Sequence, residues 1–353
     1  MWRRLFGRKP PKIVALGGGT GLSTMLRGLK EHTDRLTAIV TVGDDGGSSG
    51  RLRSDFDIIP PGDIRNCLVA LADAGPTMEA LFQYRFGQES GTLQGHSFGN
   101  LLLTALSQIT GDFRQAVREA TRILNVSGRV LPATDRKFAL VVTHPDGSRT
   151  TGEAQITRGQ RKPISRLDLK PTPAPVDAEI REALAEADLI VLGPGSLYTS
   201  VIPNCLVPGM VDAMRDSPAP IVYVCNVMTQ PGETDGYTVA DHLRAIEAHT
   251  ESGLVDAVVV NTRPIDERLL LSYRASGQEP VVWDAAAAAA WSFSAMVVPA
   301  DLASQTELVR HDPARLARLL IERIRDFKRA NGHSANGANG AARSATTVPT
   351  VQR

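Results

Sequence analysis

Four short apolar runs in this chain stop abruptly in clusters of glycine and polar residues. Ile13 to Leu16 runs into Gly17, Gly18, Gly19, Thr20 and Gly21. Leu36 to Val42 runs into Gly43, Asp44, Asp45, Gly46, Gly47, Ser48, Ser49 and Gly50. Leu189 to Leu192 is followed by Gly193, Pro194, Gly195 and Ser196, and Ile221 to Val224 by a polar stretch over 226–235. The run from Leu36 is β-branched and does not alternate, which is the pattern of a strand buried on both faces. Helical segments separate the runs, the first over Leu22 to Lys30 with Leu22, Met25, Leu26 and Leu29 on one face. Strands alternating with helices make an α/β protein with a mostly parallel sheet and helices on both faces. Ligands of such sheets bind beyond the carboxyl ends of the strands, where the winding reverses. All four clusters are therefore expected to face one crevice.

The rest of the chain divides around this frame. Residues 1–11 form a basic tail with Arg3, Arg4, Arg8 and Lys9, either solvated or in weak contact with an anionic membrane surface. Asp63 sits where it can cap a helix running to about Asp73. Residues 77–124 read as helical, with 3.6-residue apolar spacing over Phe98 to Ile109 and Phe113 to Leu124. From about 128 to 170 the pattern changes to short strands, a small antiparallel β insertion. Lys170 to Val176, with three prolines, is an extended linker. Asp177 caps a helix to Ala187, Val255 to Val260 is another strand, and the alanine run over 285–290 reads as helix. A charged helix over Pro313 to Arg329 closes a domain spanning 12–330. Residues 331–353 carry almost no apolar side chains and read as disordered.

Composition excludes several classes. The 39 Lys and Arg nearly cancel the 38 Asp and Glu, so there is no basic footprint for nucleic acid. No apolar run approaches the roughly 18 residues of a membrane span. Cys67, Cys205 and Cys225 are odd in number and lack C-x-x-C spacing, which points to three reduced thiols in a cytoplasmic protein rather than disulfides or zinc.

The clusters suggest phosphate chemistry. A glycine-rich turn between strand and helix exposes backbone N–H groups to an anion. Gly17 to Gly21 fits that description but not the dinucleotide fingerprint, since Leu22 stands where the third glycine belongs, and no G-K-[ST] follows. An NAD-dependent dehydrogenase is disfavoured on that ground. Gly193, Pro194, Gly195 and Ser196 repeat the logic on a second strand, with Asn204 shortly after. Asp44 and Asp45 are placed to meet a ribose hydroxyl, to hold Mg²⁺, or to cap a turn. Ser48 and Ser49 are candidate phosphate donors. Asp63 and Arg65 are a helix cap with its ion pair or a ligand contact. His96 and Asn100 open a helix and can bind an anion or order a neighbouring loop. Asn226 and Gln230 suit sugar hydroxyls or a base edge. Arg310 is a phosphate clamp or half of a surface ion pair with Asp312. No nucleophile with a base is identifiable, and no cofactor is required beyond a candidate Mg²⁺.

Several of these segments resemble the bacterial gluconeogenesis factor family (YvcK-like). They are Val14 to Leu22, Asp44 to Leu52, Pro60 to Asn66, Gly95 to Asn100, Gly193 to Ser200 and Met228 to Thr234. Gly43 departs from the family pattern, which has alanine before the acid pair. The resemblance implies a Rossmann-like fold related to 2-phospho-L-lactate transferase (CofD-like). It implies a UDP-sugar ligand such as UDP-N-acetylglucosamine, and a role in cell shape and cell-wall synthesis during gluconeogenic growth. Cell-wall synthesis proteins and a Ser/Thr kinase are implied partners, with Thr346, Thr347 and Thr350 as accessible acceptors, and homo-oligomers are open. The first glycine loop, the acid pair and Arg310 carry over as nucleotide contacts. Two readings stand: a regulatory UDP-sugar sensor, and a Mg²⁺-dependent transferase acting on a nucleotide-diphosphate-linked substrate.

Overall fold

The computed structural model describes residues 9–159, 161–283, 286, 294–306 and 308–335. Its centre is a seven-stranded sheet in the order β10-β9-β8-β7-β1-β2-β3, parallel throughout. The strands are β1 (Ile13–Gly17), β2 (Leu36–Val40), β3 (Arg129–Pro132), β7 (Leu189–Leu192), β8 (Ile221–Val224), β9 (Ala257–Asn261) and β10 (Met296–Ala300). Every residue of β1, β2, β7 and β8 is buried, because helices cover both faces. The expected α/β fold is the observed one.

The first helix, α1 (Gly19–Lys30), buries Leu22, Met25, Leu26 and Leu29 completely. It packs between α3 (Gly62–Leu71) and the closing helix, here α13 (Pro313–Ala335). Gly28 permits that approach, since a Cβ there would lie 2.0 Å from the Pro313 carbonyl oxygen. The chain winds from β1 outward to β2 and β3, returns to pair β7 with β1, then proceeds to β8 and beyond. The winding therefore reverses between β1 and β7, and the two glycine-rich loops flank that point.

The structure differs from the sequence reading in places. Arg129–Pro132, assigned to the antiparallel segment, pairs in parallel with β2 as an edge strand of the main sheet. The antiparallel sheet is β4 (Ala139–Thr143), β5 (Arg149–Thr151) and β6 (Arg166–Lys170), in the order β5-β4-β6. The helix α3 begins at Gly62 with Pro61 at its cap, so Asp63 lies inside the first turn and does not cap it. The closing helix continues to Ala335, so Asn331 to Ala335, which read as disordered from sequence, are helical. The alanine run, apart from Ala286, and Thr346, Thr347 and Thr350 lie outside the described residues. No helix among the described residues is long and apolar enough to cross a membrane.

Candidate nucleotide-binding crevice

A crevice of about 390 Å³ opens above the β1/β7 reversal. Gly18 to Gly21 line it from the first loop, Pro194 to Ser196 from the second, and Asn226 with Gln230 from the segment after β8. Three of the four clusters thus share one cavity. The fourth reaches it indirectly, through Asp63, which lines the crevice and lies beside Asp44.

The two loops meet because glycine lets them. A Cβ on Gly21 would lie 2.5 Å from the Pro194 carbonyl oxygen. Gly19 takes φ +63°, a left-handed conformation suited to glycine, and faces open space. Gly193, also left-handed at φ +77°, turns the chain out of β7 toward the crevice. Asn204 locks the arrangement from behind. Fully buried, it donates through Nδ2 to the carbonyls of Gly17 at 3.0 Å and Ser200 at 2.7 Å. It is a bracket between the loops and does not line the crevice.

Asn226 and Gln230 form a circuit with the second loop. The Gly195 amide donates to Asn226 Oδ1 at 3.2 Å, Asn226 Nδ2 to Gln230 Oε1 at 3.2 Å, and Gln230 Nε2 to Ser196 Oγ at 2.6 Å. Arg310 enters from the hairpin of β11 (Ala303–Gln305) and β12 (Val309–His311) and lines the crevice with an exposed side chain. Beside it, His311 is buried, its Nε2 has no partner, and burial pushes its pKa down to about 4.

The acid pair splits. Asp44 accepts from the Gly46 amide at 2.8 Å and from Ser49, and burial raises its pKa. Asp45 turns the other way and accepts from the Ala154 amide at 2.8 Å. That bond holds a short helix of the insertion, α7 (Glu153–Arg158). Asp63, read as a helix cap, instead accepts the Gly19 amide, and burial with Asp44 nearby pushes its pKa up to about 7. Glu153, projecting from the insertion, also lines the crevice. Burial and the carboxylates of Asp44, Asp63, Glu233 and Asp45 raise its pKa to about 9.

Ser48 and Asn100 belong to a buried network behind the crevice. Ser48 Oγ lies 3.0 Å from His96 Nδ1 and accepts from Asn100 Nδ2 at 3.1 Å. Asn100 Oδ1 in turn accepts from Arg65 Nη1 at 3.0 Å. Ser48, Ser49 and Asn100 are each at most 6% exposed, so their hydroxyls and amide are committed inside the fold. Cys67, Cys205 and Cys225 are free and buried.

Sequence reasoning passed over Glu153, His311, Thr24 and Ser200, all of which line the crevice. For Glu153 the signal is slight: a Gly-acid pair opening a helix straight after a hairpin.

Known proteins place this geometry in a family. Residues 13–301 match the family model of 2-phospho-L-lactate transferase CofD. The gluconeogenesis factor of Bacillus subtilis is 46% identical over 321 residues, covering 91% of this chain and all of its own length. That of Halalkalibacterium halodurans is 47% identical over 314 residues, covering 89% of this chain and 97% of its own. A crystal structure of a UPF0052-family protein from Bacillus halodurans superposes with a TM-score of 0.83 at 47% identity, covering 87% of this chain and 98% of that one. A glycine-loop crevice at the β1/β7 reversal, matched in sequence and in backbone across nearly the whole described chain, makes this protein a member of the CofD family, in the company of its gluconeogenesis factors.

Proposed function

We propose that the crevice binds a nucleoside diphosphate sugar, a UDP-sugar such as UDP-N-acetylglucosamine, and that the protein acts as a cytoplasmic regulator rather than as a catalyst. The observation that carries this reading is the meeting of two glycine loops at the winding reversal, with Arg310 across from them. Past the Gly19 amide that Asp63 takes, the first turn of α1 over Thr20 and Gly21 faces the crevice and suits the diphosphate, and Arg310 adds the cation. Asn226 and Gln230 offer paired donors and acceptors for a base edge or sugar hydroxyls. The regulatory role follows the resemblance: cell shape and wall synthesis during gluconeogenic growth, with wall-synthesis proteins and a Ser/Thr kinase as partners. Phosphorus-31 NMR of UDP-N-acetylglucosamine with the protein and Mg²⁺ tests it. Broadened diphosphate signals without new ones support the sensor; sharp, unchanged signals overturn the ligand.

One observation favours the second reading, a Mg²⁺-dependent transferase. Asp44 and Asp63 lie close together beside the first loop. Among the described residues no three His, Cys, Asp or Glu side chains are arranged to hold a metal. Two carboxylates with phosphate oxygens and waters nevertheless satisfy Mg²⁺. Asp45, spent on Ala154, does not fit that site, so Asp44 and Asp63 would hold the ion. Bound there, it would neutralise developing phosphate charge. New phosphorus signals in the same experiment would select this reading.

A further inference from the structure

The first carboxylate in the sequence is Glu31, and seven Lys and Arg come before it. Four of the seven, Arg3, Arg4, Arg8 and Lys9, are interleaved with Trp2, Leu5 and Phe6. Those three apolar residues stand at i, i+3 and i+4, the spacing of one face of a helical turn, and Pro10 and Pro11 close the segment. Nothing in the nucleotide reading calls on it.

The structure fixes where this segment joins the fold. Arg35 Nη1 donates to the Pro10 carbonyl at 3.0 Å, and Thr33 Oγ1 to that of Pro11 at 2.9 Å. The Lys12 amide donates to Asp188 Oδ2 at 3.0 Å, and the Asp188 amide to the Lys12 carbonyl at 2.7 Å. These partners directly precede β2 and β7, which run parallel to β1. Residues 10–12 are therefore pinned at the amino ends of the strands, with the crevice at the other end of the sheet. Lys9 is exposed there.

The folded body is close to electrical balance at this end. Lys12 pairs with Glu186, Lys328 of α13 with Asp188 at 3.0 Å, and Lys30 at the end of α1 with Asp73 at 3.6 Å. The exposed Glu31 and Asp34, with Asp326, are matched in number by Arg35, Arg325 and Arg329. The four cations of residues 3–9 are an excess over that balance.

We propose that residues 2–9 are a reversible anchor for an anionic bilayer surface. The three arginines and Lys9 meet lipid phosphates, and Trp2, Leu5 and Phe6 enter the headgroup boundary. Cations alone would suit any polyanion. The aromatic and aliphatic side chains among them select a surface with an apolar interior, where an apolar body can be buried beside a charged head. An anchor at the amino ends of the strands leaves the crevice facing away from the lipid, so both sites can be filled together. The inference stands apart from the nucleotide reading.

The test is co-sedimentation of the full chain with two kinds of vesicle, phosphatidylcholine alone and phosphatidylcholine with about a third phosphatidylglycerol, at about 0.1 M salt. We expect the wild type to partition onto the anionic vesicles about tenfold or more above the neutral ones. Arg3→Glu/Arg4→Glu and Trp2→Ala/Phe6→Ala should each lower that partition about tenfold. Wild-type protein that binds neither vesicle, or both equally, overturns the proposal. So does a partition that the charge variant leaves unchanged. Loss in the charge variant alone reveals a general polyanion site and overturns the assignment to a bilayer.

Discussion

The carboxylate of Asp63 accepts the amide of Gly19 at the point where β1 turns into α1. The first glycine loop thus already has a carboxyl of the protein's own at its helix entry. Burial, with Asp44 nearby, raises the Asp63 pKa from 3.8 to about 7. The folded chain therefore holds a proton there that the unfolded chain has released, and stability falls as pH rises from about 4 to 7, by about 4 kcal/mol at most. Asp63→Asn keeps an acceptor for Gly19 and removes the titration. Urea unfolding between pH 4.5 and 8 should show a flatter pH dependence for the variant, and a higher stability than wild type at pH 8. Parallel pH profiles would show that Asp63 is not the group responsible.

Gly21→Ala drives a Cβ against the Pro194 carbonyl oxygen, 2.5 Å away in the present backbone. The neighbour is backbone and cannot swing aside. The loops must separate, at a cost of about 1–3 kcal/mol, and nucleotide affinity should fall with them. Thermal unfolding and calorimetry on the same sample read both effects.

Asp45→Ala removes the acceptor for the Ala154 amide. It should cost about 1 kcal/mol, the usual value of a helix N-terminal acceptor. Hydrogen exchange should speed up over 152–158 while β1 and β7 stay protected. Uniform acceleration across the sheet would show that the bond supports the whole fold rather than the insertion.

Asn100→Leu leaves Arg65 and Ser48 short of partners inside the protein. The expected loss is about 2–4 kcal/mol, dominated by the unpaired guanidinium. Arg310→Ala is the contrasting case: an exposed side chain facing the crevice, expected to lower nucleotide affinity about tenfold. Its unfolding free energy should stay within about 0.5 kcal/mol of wild type. The pair separates a residue that builds the fold from one that serves the ligand.

The glycine loops were legible because a strand ending in several glycines has few other uses, and both loops stand where they were expected. Asp44 and Asp45 show why neighbours in sequence mislead. One carboxylate turns back to the Gly46 amide of its own loop and the other reaches across to the Ala154 amide of the insertion. Asn204 could not be read as a bracket, since nothing in local pattern says that a side chain 187 residues on will bond the Gly17 carbonyl. Arg129–Pro132 reads as part of the insertion because short strands begin at about 128 with no helix to separate it from them. An edge strand tolerates that proline at its end. Glu153 depends on how the insertion folds back, which spacing does not encode.

Strand β1 has β2, its near neighbour in sequence, on one side and β7 from the far half of the chain on the other. Pairing Ile13 with Leu189 closes a very long loop, an entropic cost met only when the rest of the sheet can repay it. The two glycine loops face each other solely through that pairing, and Arg310 arrives later still. During synthesis the crevice is consequently among the last features to exist, and a chain stopped before β7 has half a binding loop and nothing opposite it. Occupancy of the crevice is in this sense a report on completed folding.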